Sequence, residues 1–121
     1  MDRAAFEQLV SEALDTLPEE VWAWLDNVAI VVADWPTPGQ LAQAEIGHGG
    51  LLLGLYVGLP KTHRGVTYGE IIPDKIVIFQ GPIELICRTP DQIRRQVRAT
   101  VLHEIGHHFG LDEGELRAAG V

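Results

Sequence analysis

The chain has 121 residues, 46% hydrophobic and 21% charged, and its 9 Lys and Arg against 17 Asp and Glu leave a net charge of −8. That length suits one domain, read here as 1–121, with a continuous core, and the acidic balance opposes nucleic acid or an anionic membrane as partner, since both attract basic surfaces. The one cysteine, Cys87, excludes an internal disulfide framework, the N-terminus carries no basic-then-apolar signal pattern, and no apolar run approaches the ~20 residues that span a bilayer, so the expected compartment is cytoplasmic.

Apolar residues at Ala5, Phe6, Leu9, Val10, Ala13, Leu14 and Leu17 have helical spacing, which predicts a first helix from Asp2, its N-cap, to about Thr16. Pro18, at a first helical position before Glu19 and Glu20, restarts the chain as a short helix or helical turn through Trp22, Trp24 and Leu25. Val28 to Ala33 is a β-branched, continuous apolar run, read as a strand covered on both faces. Asp34 to Gly39 stops it, and Gln40 to Ile46 is either a helical turn or a loop. His48-Gly49-Gly50 is turn chemistry.

Leu51 to Gly58 is the second strand, and Leu59 to Gly69 is a polar connection. Lys75 to Gln80 is the third strand, ended by Gly81-Pro82, with Ile83 to Cys87 as a short helical turn. Thr89 as N-cap and Pro90 at the first helical position begin a long helix that runs to Phe109 and stops at Gly110. This order predicts an α+β fold: a small mixed sheet of about three to four strands packed on the N-terminal helix and the long last helix.

Inside that last helix lies His103-Glu104-Ile105-Gly106-His107. Four residues advance a helix by about 40° around its axis and about 6 Å along it, so both imidazoles leave one face. Two neutral imidazoles so placed can hold one Zn²⁺ at roughly 2.0–2.1 Å each. Glu104, one residue after the first, can reach a water on the metal and act as its general base. Ile93, Val97, Val101, Ile105 and Phe109 form the core stripe of the same helix. His103 and His107 lie beside Gln96 and Thr100, about 130° from the centre of that stripe. His108 falls on the apolar side, in packing or hydrogen bonding. A third ligand is expected just beyond the helix: Gly110 lets the chain turn, and Glu113, with Asp112 as its competitor, can bring a carboxylate to the metal.

The stretch Thr100-Val101-Leu102-His103-Glu104-Ile105-Gly106-His107-His108-Phe109-Gly110, with Gly54 to Pro60 and Pro73 to Phe79 before it, resembles the zincin superfamily, and specifically the small bacterial zincin-like metallopeptidases, or minimal zincins. The likeness extends over essentially the whole chain. In the extended zincin pattern His-Glu-x-x-His-x-x-Gly-x-x is followed by His or Asp; here that place holds Glu113. The resemblance implies a zinc-dependent peptidase in which His103, His107 and Glu113 bind zinc and Glu104 is catalytic, acting on a peptide or protein substrate. It also implies an extended substrate lying antiparallel along an edge strand above the active helix, a role that Lys75 to Gln80 resembles. Two family features are missing: the only methionine is Met1, so there is no Met-turn, and no Tyr or His follows the motif. Tyr68, His63 and Arg64 are therefore the candidate electrophiles. The alternative function is a non-catalytic metal- or peptide-binding module that retains the site.

The remaining conspicuous residues read as structural. Cys87 is expected to be a small buried hydrophobe, and Trp22, Trp24 and Trp35 to pack in the core. His48 and His63 are expected in surface loops, and Arg94, Arg95 and Arg98 on a solvated helix face. Exposed strand edges are compatible with a monomer or a homodimer.

Overall fold

The Asp2 carboxylate accepts a hydrogen bond from the Ala5 N–H at 2.7 Å, and this cap starts helix α1 (Arg3–Asp15), which buries Phe6, Leu9, Val10 and Ala13 on one face. In the computed structural model, residues 1–45, 50–58 and 74–110 are described. Helix α2 (Glu19–Trp24) follows, with Pro18 as its N-cap, one position before the expected first turn. Strand β1 (Val28–Ala33) leads to α3 (Pro38–Gln43). There Gln40–Gln43, the first part of the segment read as a helical turn or a loop, is helical, because Thr37 and Gln40 form a reciprocal capping box. Strands β2 (Gly54–Val57) and β3 (Asp74–Phe79) come next.

Helix α4 (Gln80–Ile86) begins directly at the end of β3. Gly81-Pro82 does not separate the two elements. Both residues lie in the first turn, where backbone N–H groups have no helical partner and a proline costs nothing. The last helix, α5 (Pro90–Phe109), has the expected ends: Thr89 caps it by accepting from the Gln92 N–H, and Gly110 closes it at φ +66°. Among the described residues no helix is long and apolar enough to cross a membrane.

The sheet has the order β1-β3-β2. β1 runs parallel to β3, with Val28 opposite Asp74 and Ala33 opposite Phe79. β2 runs antiparallel to it, with Gly54 opposite Ile78 and Val57 opposite Lys75. The expected α+β architecture is thus observed, with a three-stranded mixed sheet on the N-terminal and long helices. The Lys75 to Gln80 segment is not the edge strand expected, because β3 is paired on both sides, with β1 and with β2.

Alternation along β3 divides the core. Ile76 and Ile78 face the main cluster with Phe6, Val21, Val97, Val101 and Ile105. Val77 and Phe79 face the other way, onto Leu52 and Leu55, with Leu41 and Ala44 of the α3 segment packed against them. That second layer is short. It does not reach across β1, so Val31 is 38% exposed and the strand is not covered on both faces as its composition implies.

The tryptophans also depart from expectation. Trp24 packs against the core, but Trp22 and Trp35 are exposed. Trp35 packs against Gly81, where an added Cβ would come within 2.2 Å of the ring. Cys87 is half-buried, packed against the main core, and burial raises its thiol pKa. Of the arginines on α5, Arg94 bonds Glu12 and Asp91 and Arg98 donates to the Thr16 hydroxyl. These contacts tie α5 to α1.

Candidate metal centre and its cleft

Helix α5 presents Ile93, Val97, Val101 and Ile105 to the core, all of them buried. Phe109, expected to continue the stripe, is 44% exposed instead; one turn past Ile105 the helix has run beyond the core, and the ring stands edge-on to Tyr56 and His108. His103 and His107 are exposed, on the side of the helix away from the buried stripe. Their ring centroids are 4.4 Å apart. Gln96 and Thr100 continue this side toward the helix N-terminus, joined by a hydrogen bond from the Gln96 amide to the Thr100 hydroxyl.

The donor atoms of His103, Glu104 and His107 all lie within 4.8 Å of one another. Two imidazoles with a carboxylate beside them make a donor set of the kind that zinc takes, so the described residues fit the ion that the sequence motif implies. Glu113 and Asp112, the candidates for the third ligand, lie outside the described residues, as do Tyr68, His63, Arg64 and His48.

Glu104 is held by an element the motif does not contain. The Tyr56 N–H of β2 donates to Glu104 Oε1 at 2.8 Å. The pleat explains why that N–H is available. Leu53 turns its carbonyl inward to accept from the Phe79 N–H, so in the alternating antiparallel ladder Gly54 and Tyr56 turn their main-chain groups to the side of β2 away from β3. Among the described residues, the outer strand next to α5 is therefore β2.

The side chains at those two positions face α5. A Cβ on Gly54 would lie 2.6 Å from Thr100 Cγ2 and 3.1 Å from the Val77 carbonyl oxygen. Only glycine lets the strand and the helix approach this closely. The Tyr56 ring stacks on His108, with centroids 3.8 Å apart and planes 11° from parallel. Its hydroxyl donates to Asp74 Oδ2 at 2.7 Å, and His108 Nε2 stands 3.9 Å from the same oxygen. His108 is thus a packing residue, as expected, although a largely exposed one.

These features border a cleft of about 760 Å³. It is lined by β2 with the residues before it, by α5 with the two histidines, and by the end of the α3 segment, Gln43 to Glu45. A histidine pair, a carboxylate beside it and the outer strand β2 have come together on one short helix-and-sheet scaffold.

The sequence profile of zincin-like metallopeptidases matches residues 25–121. The chain belongs to the zincin-like metallopeptidase family. Among solved structures it is similar to a conserved hypothetical protein from Thermus thermophilus, with a TM-score of 0.57 at 22% identity over 90% of this chain and 94% of that one. That likeness concerns the fold. No curated protein matches the sequence. In this zincin-like chain the motif residues were legible beforehand, whereas Tyr56 and Asp74 were not. The signal for Tyr56 was its place two residues after Gly54, within the strand that resembles the family.

Proposed function

We propose that the chain is a zinc-dependent peptidase in which His103, His107 and Glu113 hold the ion and Glu104 is the general base. The observation that carries this reading is the Glu104 carboxylate, held at 2.8 Å by the outward N–H of the outer strand β2 beside a histidine pair of ligand spacing. Zinc, when bound, supplies a Lewis acid that polarises the substrate carbonyl and lowers the pKa of water. Glu104 takes the proton of the attacking water and passes it to the leaving amine. The bond from Tyr56 holds Oε1 and leaves Oε2 for that proton. An extended peptide or protein segment lies in the cleft alongside β2 and α5.

Zinc content and hydrolysis of a broad peptide library, measured for wild type and Glu104→Gln, test this reading. About one zinc per chain is expected in both, with hydrolysis lost by a factor of about 10²–10⁴ in the variant. Retained hydrolysis in Glu104→Gln rejects the mechanism. Full zinc with no turnover in the wild type identifies a metal- or peptide-binding module. Loss of zinc in Glu113→Ala, and its retention in Asp112→Ala, would establish the third ligand.

A further inference from the structure

We infer that Asp74 is a positioning residue of the candidate centre, acting through Tyr56 on both Glu104 and the turn that carries His107. The inference rests on the reading of His103, His107 and Glu104 as ligands and base, and adds the group behind them that holds two of them in place. Asp74 opens β3, lies outside the motif, and is buried at 9% exposure.

Both elements that meet at the site are weakly held where they meet. Ile105 and Gly106 are the last buried residues of α5, and His107, His108 and Phe109 are all exposed. Core burial therefore anchors the turn of His103 but not the turn of His107. That last turn leans instead on the Tyr56 ring, which stacks on His108 with centroids 3.8 Å apart. Strand β2 is four residues long and, among the described residues, pairs on one side only. Tyr56 is its third residue, and the end of so short a strand frays unless side chains tie it down.

Asp74 supplies that tie. Its Oδ2 accepts from the Tyr56 hydroxyl at 2.7 Å and stands 3.9 Å from His108 Nε2. The three groups converge at one place: a Cβ on Gly58 would lie 3.6 Å from His108 Cε1, 3.7 Å from Tyr56 Cε1 and 3.9 Å from Asp74 Cγ. With the ring held at its hydroxyl and on its face, the main chain of the same residue is held as well, and its N–H meets Glu104 Oε1 at 2.8 Å. Tyr56 thus carries both effects of Asp74, its main chain setting the carboxylate and its ring setting the helix turn. Groups that orient a metal's ligands from behind cost about 10–100-fold in metal affinity or activity when removed.

Amide hydrogen exchange, read residue by residue by NMR in the metal-free protein, tests the inference without zinc or substrate. Tyr56→Phe and Asp74→Ala should each speed exchange at position 56 and at positions 107–109 by about tenfold, with Val97 and Val101 in the middle of α5 unchanged. Zinc affinity, measured by competition with a chromophoric chelator, should fall about tenfold in both variants. The double variant should lose no more than Asp74→Ala alone, and Asp74→Asn, which keeps an acceptor for the hydroxyl, should recover most of the loss. In hydrolysis the loss should fall on kcat and leave KM within about twofold. Unchanged exchange at position 56 in Tyr56→Phe, additive losses in the double variant, or exchange raised equally at Val97 and Val101 overturns the inference. The expected exchange pattern in a protein that binds no zinc or hydrolyses nothing supports the inference and rejects the peptidase reading, whereas undiminished hydrolysis in Tyr56→Phe does the opposite.

Discussion

The main-chain N–H of Tyr56 and the carboxylate of Glu104 meet at 2.8 Å across 48 residues of sequence. This bond joins the outer strand β2 to α5 and sets the candidate base beside its two histidines. The side-chain contacts of Tyr56 hold the strand end of that bond in place.

Removing the Tyr56 hydroxyl isolates one of those contacts. Tyr56→Phe keeps the ring over His108 and loses the bond to Asp74, which is 9% exposed. The expected cost is about 1.5–3 kcal/mol for a bond to a charged acceptor, measured by urea unfolding. An unchanged midpoint would show that the hydroxyl adds nothing to stability.

The approach of α5 to β2 depends on a missing side chain. Gly54→Ala places a methyl group 2.6 Å from Thr100 Cγ2, and such overpacking costs about 1–3 kcal/mol. Thr100→Ala removes the atom in conflict, so the double variant should recover part of the loss. Strict additivity of the two substitutions in a double-mutant cycle would show that the contact is not the cause.

Zinc should stabilise the fold through the histidine pair. At zinc about 100-fold above Kd the gain is about 2.7 kcal/mol, or roughly 10 °C in melting temperature for a chain of this length. Chelation by EDTA should reverse it, and the shift should vanish in His103→Ala and His107→Ala. A zinc-induced shift that survives both substitutions would place the ion elsewhere.

The start of α5 carries a pH dependence. Asp91 is held below its ordinary pKa of 3.8 by a hydrogen bond from Arg94, then by the charge of that guanidinium. A carboxylate lowered in the folded state stabilises the protein above its ordinary pKa and ceases to do so as pH falls through the folded value. Asp91→Asn should therefore melt slightly below wild type at neutral pH, and the two should converge in acid. A gap that persists at low pH would exclude the ion pair as its origin.

Much of this arrangement is local and could be read from the chain alone. Thr89 and Pro90 start α5, Gly110 ends it, and the four-residue spacing puts Ile93, Val97, Val101 and Ile105 in the core with His103 and His107 on another side. Capping and helical period act over a few residues, so they need no knowledge of the rest of the fold. Strand order does not work that way. Leu51 to Gly58 and Lys75 to Gln80 are both short apolar runs, and neither contains a mark that makes one central and the other an edge. Pairing with β1 decided that, taking β3 into the middle and turning the outward N–H of Tyr56 to Glu104. Exposure of Val31, Trp35 and Phe109 likewise follows from where the covering layers stop, since hydrophobicity gives a residue a tendency to be buried and only its neighbours in space can bury it.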